Sequence, residues 1–324
     1  MKAIVREEYG DPKTYKVVEI ERPQAKSNEI LIEVKCCTIN RTDCGVSRGE
    51  PKVIRLFTGL RKPNKPILGT DFAGKVIEIG EDVKKFKVGD RVFGFNDHGI
   101  SSYAEYMTLA ESGNIAIIPN ECSYKEAVAS LEGAHYAINF INKVELSNDS
   151  KVLVYGATGA IGSAAIQLLK NKGCWVTAVC GTEDLDQIKA YGIDKVVDYK
   201  TEDYTKDEII YDFVFDAVGK SRFVLATRIL KEGGTYISSE LGEGNENLRL
   251  VFTTLFFSKH KLKIPIPTNI KKSIAQMKEL LMQKKFKPMI DRSYRMEDFK
   301  EGYKFVESGQ KKGNVILQIG SLTD

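Results

Sequence analysis

A glycine-rich turn near the middle of the chain has the clearest chemical meaning. It reads Gly-Ala-Thr-Gly-Ala-Ile-Gly over residues 156–162, between an apolar strand-like segment and a helix-like segment. Gly159 would let the backbone approach a pyrophosphate, and Gly162 would let the helix pack closely on the strand. Amide groups at the start of that helix would then bind the phosphates. The pattern predicts a dinucleotide site formed by Gly156, Ala157, Thr158, Gly159, Ala160 and Ile161; a tight turn without a ligand is the alternative.

The residues that would choose between NAD and NADP follow the next predicted strand. In NAD-dependent proteins an acid at the end of that strand, about 20 residues on, binds the ribose 2′-hydroxyl. Here that place is Val179-Cys180, and the acids Glu183 and Asp184 come slightly later, where they would repel a 2′-phosphate unless screened. Neither signature is complete, so the sequence predicts NADPH or NADH without choosing. The candidate residues at this end are Gly181 and Thr182.

Composition excludes several classes of protein. The 324 residues suggest about two domains, and the 42% hydrophobic and 28% charged residues are ordinary for a globular protein. A net charge of +4 predicts neither a nucleic-acid nor a membrane partner. The most apolar run, residues 250–257, is far shorter than the ~20 residues needed to span a bilayer. The six cysteines show no C-x-x-C spacing, and no secretory signal is visible, so we expect a reduced cytoplasmic protein.

The elements that position the glycine turn follow from the apolar periodicity. Residues 1–118 read as short strands broken by glycine turns, which is typical of a small β-barrel. Residues 124–141 place apolar side chains at helical spacing. Strands and helices then alternate through residue 238, which predicts βαβ units and a parallel sheet. A helix over 271–284 and a strand over 313–319 are predicted to close the chain.

The motifs in their order resemble the medium-chain dehydrogenase/reductase superfamily, in its zinc-independent quinone oxidoreductase-like branch. The resemblance extends over nearly the whole chain. Its motifs are the opening Met-Lys-Ala-Ile-Val, the 40–43 Asn-Arg-Thr-Asp turn, 66–74 Pro-Ile-Leu-Gly-Thr-Asp-Phe-Ala-Gly, 88–94 Val-Gly-Asp-Arg-Val-Phe-Gly, 103–106 Tyr-Ala-Glu-Tyr, the glycine turn, 216–219 Asp-Ala-Val-Gly and the closing strand.

This resemblance implies an α/β protein of two domains with the active cleft between them. A GroES-like β-barrel catalytic domain would comprise residues 1–120 and 269–324, and a Rossmann NAD(P)-binding domain with a doubly wound parallel sheet would comprise residues 121–268. Relatives often pair through the Rossmann sheet, so we expect a homodimer, with residues 250–257 beside a strand-like segment at 261–266 as its edge.

The ligands of a catalytic zinc ion are missing. Zinc-dependent members carry Gly-His-Glu where this chain has Gly69-Thr70-Asp71, and the other two ligand positions, in the 40–43 turn and at about Leu131, carry no cysteine. A catalytic zinc site needs three protein ligands. No cysteine lies between Cys44 and Cys122, so the four-cysteine structural lobe is missing too. The sequence therefore predicts no metal.

Chemistry without a Lewis acid favours conjugate reduction, because the charge that arrives with a hydride spreads over an enone or quinone. The resemblance implies the same activity, an NAD(P)H-dependent reduction of quinones or α,β-unsaturated carbonyl compounds as small-molecule substrates. Two alternatives stay open: an alcohol dehydrogenase-like enzyme acting without zinc, and a non-catalytic nucleotide-binding regulatory protein.

Three residues are candidates for catalysis. The amide of Asn40 could donate to a substrate oxygen, or it could hold the turn. Asp43 could anchor that turn or contact the cofactor ribose. His135 lies on the apolar face of its predicted helix, where relatives have a small residue; it could donate a proton near neutral pH, or it could be a core residue. The resemblance adds Tyr199 on the 2′ side of the adenosine, although this residue could equally be an aromatic that packs after its strand. It also adds Val218 to the cofactor site and implies that the backbone near Leu241, Ile264 and Ile266 meets the nicotinamide carboxamide.

Overall fold

The computed structural model describes residues 1–50 and 52–322, which form two compact units. The first unit comprises Met1–Glu132 and Asn269–Asp324, and the second comprises Gly133–Thr268. The strands, in chain order, are β1 (Lys2–Val5), β2 (Lys16–Glu19), β3 (Glu29–Ile39), β4 (Asp71–Ile79), β5 (Arg91–Phe95), β6 (Tyr106–Ala110), β7 (Ile115–Ile117), β8 (Lys151–Tyr155), β9 (Trp175–Cys180), β10 (Lys195–Asp198), β11 (Tyr211–Asp216), β12 (Leu230–Ser238), β13 (Lys261–Lys263), β14 (Ile290–Arg295) and β15 (Asn314–Gln318).

The described residues also form α-helices, most of them short. In chain order they are α1 (Arg41–Arg48), α2 (Arg55–Thr58), α3 (Tyr124–Ala129), α4 (Glu132–Ile141), α5 (Ala160–Asn171), α6 (Leu185–Lys189), α7 (Phe223–Ala226), α8 (Glu246–Phe257), α9 (Ile270–Met282) and α10 (Phe299–Glu307). None of them, over the described residues, combines the length and apolar character needed to cross a bilayer.

The first unit is built on a curved, mostly antiparallel sheet. Its strand order is β14-β15-β3-β4-β5-β7, with β6 paired to β3, and β14 and β15 from the end of the chain complete it. The long strand β3 packs Ile32 and Val34 in one apolar cluster and Cys36 in the other. These positions would share one face of a regular strand, and the change of face coincides with a shift in register against β4 between Val34 and Cys36. The barrel-like β unit predicted from short strands and glycine turns is confirmed.

The second unit is a parallel six-stranded sheet with the order β10-β9-β8-β11-β12-β13. Numbered within the unit, this is 3-2-1-4-5-6, the order of the doubly wound dinucleotide-binding fold. Strands β9 and β11 lie on opposite sides of β8, so the order of the strands reverses at β8. Ligands of such sheets bind beyond the carboxyl ends of the strands where this reversal occurs. The predicted Rossmann fold is confirmed.

Residues 121–132 lie with the first unit, whereas the sequence analysis placed them in the second. Ser123 begins α3 with a capping box to Glu126, and Tyr124, Val128 and Leu131 pack in the cluster with β3 and β5. The helical spacing noted over 124–141 belongs to two helices rather than to one. The break lies between α3 and α4, where the Ser130 hydroxyl donates to Glu126 O at 2.7 Å and helps end α3.

Candidate functional site

The glycine turn joins β8 to α5 in the second unit, at the carboxyl edge of the parallel sheet. Gly156 has φ of +79°, a left-handed backbone conformation that residues other than glycine rarely adopt. The amides of Gly156 and Ala157 both donate to Val179 O, at 3.2 and 3.0 Å, and tie the turn to β9. A Cβ on Gly162 would lie 2.1 Å from Gly156 O, so α5 begins in direct contact with the end of β8. Glycine at 162 is therefore needed for the packing.

The start of α5 is suited to bind an anion. Gly159 is its N-cap, and no side chain among the described residues caps the helix. Amides of the first helical turn have no acceptor within their own helix, and the helix dipole favours negative charge there. A Cβ on Gly159 would meet only Gly156 O, at 3.5 Å, so the approach to Ala160 and Ile161 is open. These residues fit the pyrophosphate of a dinucleotide.

The turn after β11 supports the glycine turn from the adjacent strand. A Cβ on Gly156 would lie 2.7 Å from Cγ1 of Val218, so the structure brings these two predicted residues together. Asp216, at the end of β11, holds this second turn by accepting the amides of Val218 and Gly219 at 3.2 and 2.8 Å. Its other oxygen accepts the Tyr236 hydroxyl at 2.9 Å, and burial raises the pKa of the Asp216 carboxyl. Sequence reasoning quoted this motif but assigned Asp216 no role.

The predicted residues of the adenosine end meet beyond β9 and β10. The Thr182 hydroxyl donates to Asp198 at 2.5 Å and lowers the pKa of that carboxyl, and the Tyr199 amide donates to Cys180 O at 3.0 Å. The Tyr199 side chain is 51% exposed.

A carboxylate of this end lies over Gly181 and is ion-paired. A Cβ on Gly181 would come within 3.1 Å of Glu183 Oε2, and the same oxygen is 2.7 Å from Lys200 Nζ. The hydrogen bond from Lys200 to Glu183 raises the pKa of the ammonium group. Lys200 thus screens Glu183, one of the two acids that would repel a 2′-phosphate, and this lysine is a residue that the sequence analysis missed. Its signal was its place directly after Tyr199.

Three further predicted residues lie just beyond the carboxyl ends of their strands. Leu241 follows β12, and Ile264 and Ile266 follow β13. Ile264 packs against the core of the second unit, while the Ile266 side chain is exposed. These positions share the sheet edge with the glycine turn, and contact with the nicotinamide stays a prediction for all three.

Asn40 and Asp43 form the start of α1 in the first unit. Asn40 Oδ1 accepts the Asp43 amide at 2.7 Å, and Asp43 Oδ2 receives the Asn40 amide at 3.4 Å, which is a reciprocal capping box. Both protons of the Asn40 side-chain amide are used, toward the hydroxyl oxygens of Thr38 (3.1 Å) and Thr70 (2.9 Å). In this structure Asn40 holds the turn, and donation to a substrate oxygen would require it to release one of these bonds.

The threonine at the zinc-ligand position belongs to this same buried network. Asp43 accepts the Tyr103 hydroxyl at 2.9 Å, and burial raises the pKa of the Asp43 carboxyl to about 7. Asp71 accepts both the amide and the hydroxyl of Thr38, at 2.7 and 2.5 Å, and burial raises its pKa well above the usual range. Among the described residues, no group of three or more His, Cys, Asp or Glu side chains is arranged to hold a metal ion.

His135 lies on α4 in the second unit and is 2% exposed. Its Nδ1 is 3.5 Å from Asn139 Nδ2, which donates to the backbone oxygen of His135 at 2.9 Å. Asn139 Oδ1 in turn accepts the Thr268 amide at 3.1 Å. The ring also packs edge-on against Tyr136. These contacts fix the position of the ring, and they leave both predicted roles, proton donor and core residue, open.

Comparison with known proteins agrees with both units. One family model, described as an alcohol dehydrogenase GroES-like domain, matches residues 26–120, and another, described as a zinc-binding dehydrogenase, matches residues 191–317. A chloroplastic quinone-oxidoreductase homolog of Spinacia oleracea is 29% identical over 322 residues, covering 95% of each chain. A solved structure of the quinone oxidoreductase from Coxiella burnetii is 26% identical, with a TM-score of 0.85 over 99% of each chain.

The chain belongs to the medium-chain dehydrogenase/reductase superfamily. Within it the chain is a member of the quinone oxidoreductase-like branch and is an NAD(P)H-dependent oxidoreductase, as its sequence motifs predicted. A mitochondrial NAD(P)H oxidoreductase of Bos taurus is a further relative, 27% identical over 324 residues, which covers 90% of this chain and 82% of that one.

The locations of these two relatives contradict the cytoplasmic location that the sequence analysis expected. The Spinacia oleracea protein is named as chloroplastic and the Bos taurus protein as mitochondrial, so neither of these relatives is a cytoplasmic protein. The cytoplasmic expectation rested partly on the cysteines, and all six of them are free thiols, as expected. Free thiols indicate a reducing compartment, and such conditions do not distinguish the cytosol from the interior of an organelle.

Proposed function

We propose that this chain reduces quinones or α,β-unsaturated carbonyl compounds with NADPH and without zinc. The observation that carries the proposal is the combination of an open glycine turn in the second unit with a hydrogen-bonded Thr70 where zinc-dependent relatives have a histidine ligand. The Thr70 hydroxyl accepts a hydrogen bond from the Asn40 side-chain amide. The neighbouring Asp71 carboxylate accepts hydrogen bonds from the amide and the hydroxyl of Thr38, so these side chains are bonded to protein groups. Relatives named as quinone oxidoreductases support the choice of substrate.

The chain's own residues bind and orient the cofactor. A bound reduced nicotinamide supplies a hydride, which the substrate accepts at a conjugated carbon. The amides of Ala160 and Ile161 would hold the pyrophosphate. Val218 packs against Gly156, which has a left-handed conformation. His135 is the proposed donor of the proton that completes the reduction. Its burial keeps the ring away from bulk solvent.

The preference for NADPH rests on the adenosine end. The carboxylate of Glu183 lies over Gly181, and Lys200 neutralises it. A 2′-phosphate arriving beside Tyr199 would compete with Glu183 for the Lys200 ammonium group, and a doubly charged phosphate is the stronger partner. We expect Lys200→Met to lower the ratio of kcat/KM for NADPH to that for NADH by about tenfold. Lys172→Met removes an exposed lysine on the same unit and is the control.

A homodimer through the second unit is supported by two surface features. Strand β13 is one of the two edge strands of the parallel sheet, with β10 at the other edge. Next to it in the chain, α8 exposes Leu248, Phe252 and Leu255, which recur at helical spacing on one face. Within the edge predicted at 250–257, Leu250 is half-buried and packs against the core of the second unit. The side chains of Phe256 and Phe257 lie outside the described residues. Light scattering should give a dimer, and Phe252→Glu should give a monomer.

The decisive experiment follows NADPH oxidation with a panel of quinones, enones, plain ketones and alcohols, before and after treatment with a zinc chelator. We expect turnover of quinones or enones that is unchanged by chelation, with no zinc found by elemental analysis. Turnover only of alcohols would support an alcohol dehydrogenase-like enzyme. Tight cofactor binding without any turnover would instead support a regulatory nucleotide-binding protein.

The role of His135 is tested separately. His135→Ala should lower kcat with enones while leaving KM for NADPH unchanged, whereas His98→Ala, which changes an exposed loop histidine, should leave kcat unchanged. An unchanged kcat in His135→Ala would show that the histidine is a core residue.

A further inference from the structure

An exposed segment of the first unit, residues 52–65, has a composition that sets it apart from the rest of the surface. It contains five basic residues, and no acidic residue occurs from position 51 to position 70. It also exposes three large apolar side chains, Leu56 (65%), Phe57 (64%) and Leu60 (70%). We call residues 52–65 the basic-apolar loop. Neither the cofactor site nor the proposed dimer surface uses it.

The backbone of the basic-apolar loop is ordered by contacts at its base. Thr58 is buried, and its Oγ1 lies 2.7 Å from the hydroxyl oxygen of Tyr9, which also donates to Gly59 O at 2.8 Å. The Asn64 amide donates to Thr58 O at 2.7 Å and closes the turn. A Cβ on Gly59 would lie 2.0 Å from Lys62 O, so the turn is tight. The apolar side chains are therefore presented on a fixed loop.

The charges of the loop are not neutralised within the protein. Lys52, Arg61, Lys62 and Lys65 are exposed, and among the described residues none of the four forms an ion pair. Lys65 Nζ donates to Gly99 O at 3.1 Å, which uses one proton and leaves its charge uncompensated. The fifth basic residue, Arg55, is half-buried and stacks on the Tyr9 ring, 4.7 Å from its centroid.

We infer that the basic-apolar loop docks the protein on the surface of an anionic phospholipid membrane. Exposed apolar side chains among lysines and arginines match the two layers of such a surface, because the apolar groups enter the acyl boundary while the cations contact lipid phosphates. A second copy of this chain is a poor occupant, since its own loop would bring the same positive charge. Nucleic acid is disfavoured because Leu56 and Leu60 cannot stack on bases.

Docking of this kind places the protein on a bilayer without crossing it. The sequence analysis expected no membrane partner from a net charge of +4 and the lack of a long apolar run. Both are properties of the whole chain, whereas surface binding depends on local charge within about 10 Å, the Debye length. The inference goes beyond the proposed function, and its test needs neither cofactor nor substrate.

The test is sedimentation of the full-length protein with lipid vesicles at low and at high salt. We expect binding to phosphatidylcholine vesicles containing about 30% phosphatidylserine, weakening with salt, and little binding to phosphatidylcholine alone. Arg61→Glu with Lys62→Glu should lower the partition coefficient at least about 25-fold, since each cation near the surface contributes about fivefold. Lys271→Glu with Lys272→Glu makes the same change in net charge on exposed positions of α9 and should retain binding.

A second variant tests the apolar contribution. Leu56→Ser, Phe57→Ser and Leu60→Ser together keep every charge and should lower vesicle binding about tenfold or more. Circular dichroism and thermal unfolding confirm that each variant is folded. Failure of the wild-type protein to bind anionic vesicles at low salt would overturn the inference. Equal losses in the two charge variants would overturn it too, as would preferential binding to RNA or to a soluble acidic protein.

Discussion

The two glycines of the cofactor turn separate cofactor binding from packing, and a pair of alanine substitutions makes this measurable. Gly159 has φ of −70°, which alanine adopts freely, and its Cβ would make one ordinary contact at 3.5 Å. A Cβ on Gly162 would lie 2.1 Å from Gly156 O and 2.9 Å from the Ala157 Cα, and both neighbours are backbone atoms that cannot rotate away. An added methyl group therefore fits without overlap at position 159 and overlaps backbone atoms at position 162.

The expected magnitudes follow from these contacts. In Gly159→Ala, the lower entropy of the unfolded chain favours folding by about 0.4–1 kcal/mol, and alanine's poor N-cap preference opposes it by a similar amount. The free energy of unfolding should thus change by less than about 1 kcal/mol. The methyl group stands where the pyrophosphate approaches, so affinity for NADPH should fall at least about tenfold, or about 1.4 kcal/mol. Gly162→Ala forces a backbone shift and should destabilise the protein by about 1–3 kcal/mol.

Urea unfolding measures the stability of both variants, and titration of NADPH fluorescence measures cofactor affinity under conditions where each is folded. The expected pattern is a stable Gly159→Ala protein with weakened binding and a destabilised Gly162→Ala protein. Unchanged NADPH affinity in Gly159→Ala would refute the placement of the pyrophosphate at the start of α5. Wild-type stability in Gly162→Ala would refute the close packing of α5 on β8.

Three further predictions concern buried polar groups. Burial raises the pKa of Asp43 from 3.8 to about 7, so the folded state keeps a proton that the unfolded state releases, and Asp43 should lower the free energy of unfolding by up to about 4 kcal/mol as the pH rises from about 4 to 7. Urea unfolding of Asp43→Asn should show a smaller fall over this range, with the part due to Asp71 and Asp216 remaining, whereas a profile parallel to that of the wild type would contradict the prediction. Asp216→Ala strands the amides of Val218 and Gly219 and should cost about 2–4 kcal/mol in thermal or urea unfolding, while Asp216→Asn should cost much less; equal losses would contradict the hydrogen-bond argument. Burial raises the pKa of Cys180 to about 12, so mass spectrometry after brief alkylation near pH 8 should find this thiol unmodified in the folded protein and modified in urea; rapid native labelling would contradict it.

Much of the fold could be predicted because its signals are local in sequence. The alternation of strands and helices after β8, the glycine turn and the threonine at the zinc-ligand position can all be read within short windows. The break between α3 and α4 could not, because the apolar periodicity continues across it while Ser130 bonds back to Glu126 O. The affiliation of residues 121–132 was likewise missed, since it depends on which apolar cluster α3 joins.

In the candidate site, too, the local motif could be predicted from the sequence and the hydrogen-bond partners of the side chains could not. The sequence alone could predict a dinucleotide site, because a phosphate-binding turn needs only a few residues in a row, and the family resemblance implied the oxidoreductase activity and the two units. Tertiary structure decided what the polar side chains do. The amide of Asn40 is used by Thr70, which is 30 residues away, and Glu183 is screened by Lys200, which is 17 residues away. Hydrogen bonds and ion pairs of this kind depend on distances that only folding sets, so a residue's type and neighbours predict which partners it could take and not which it has.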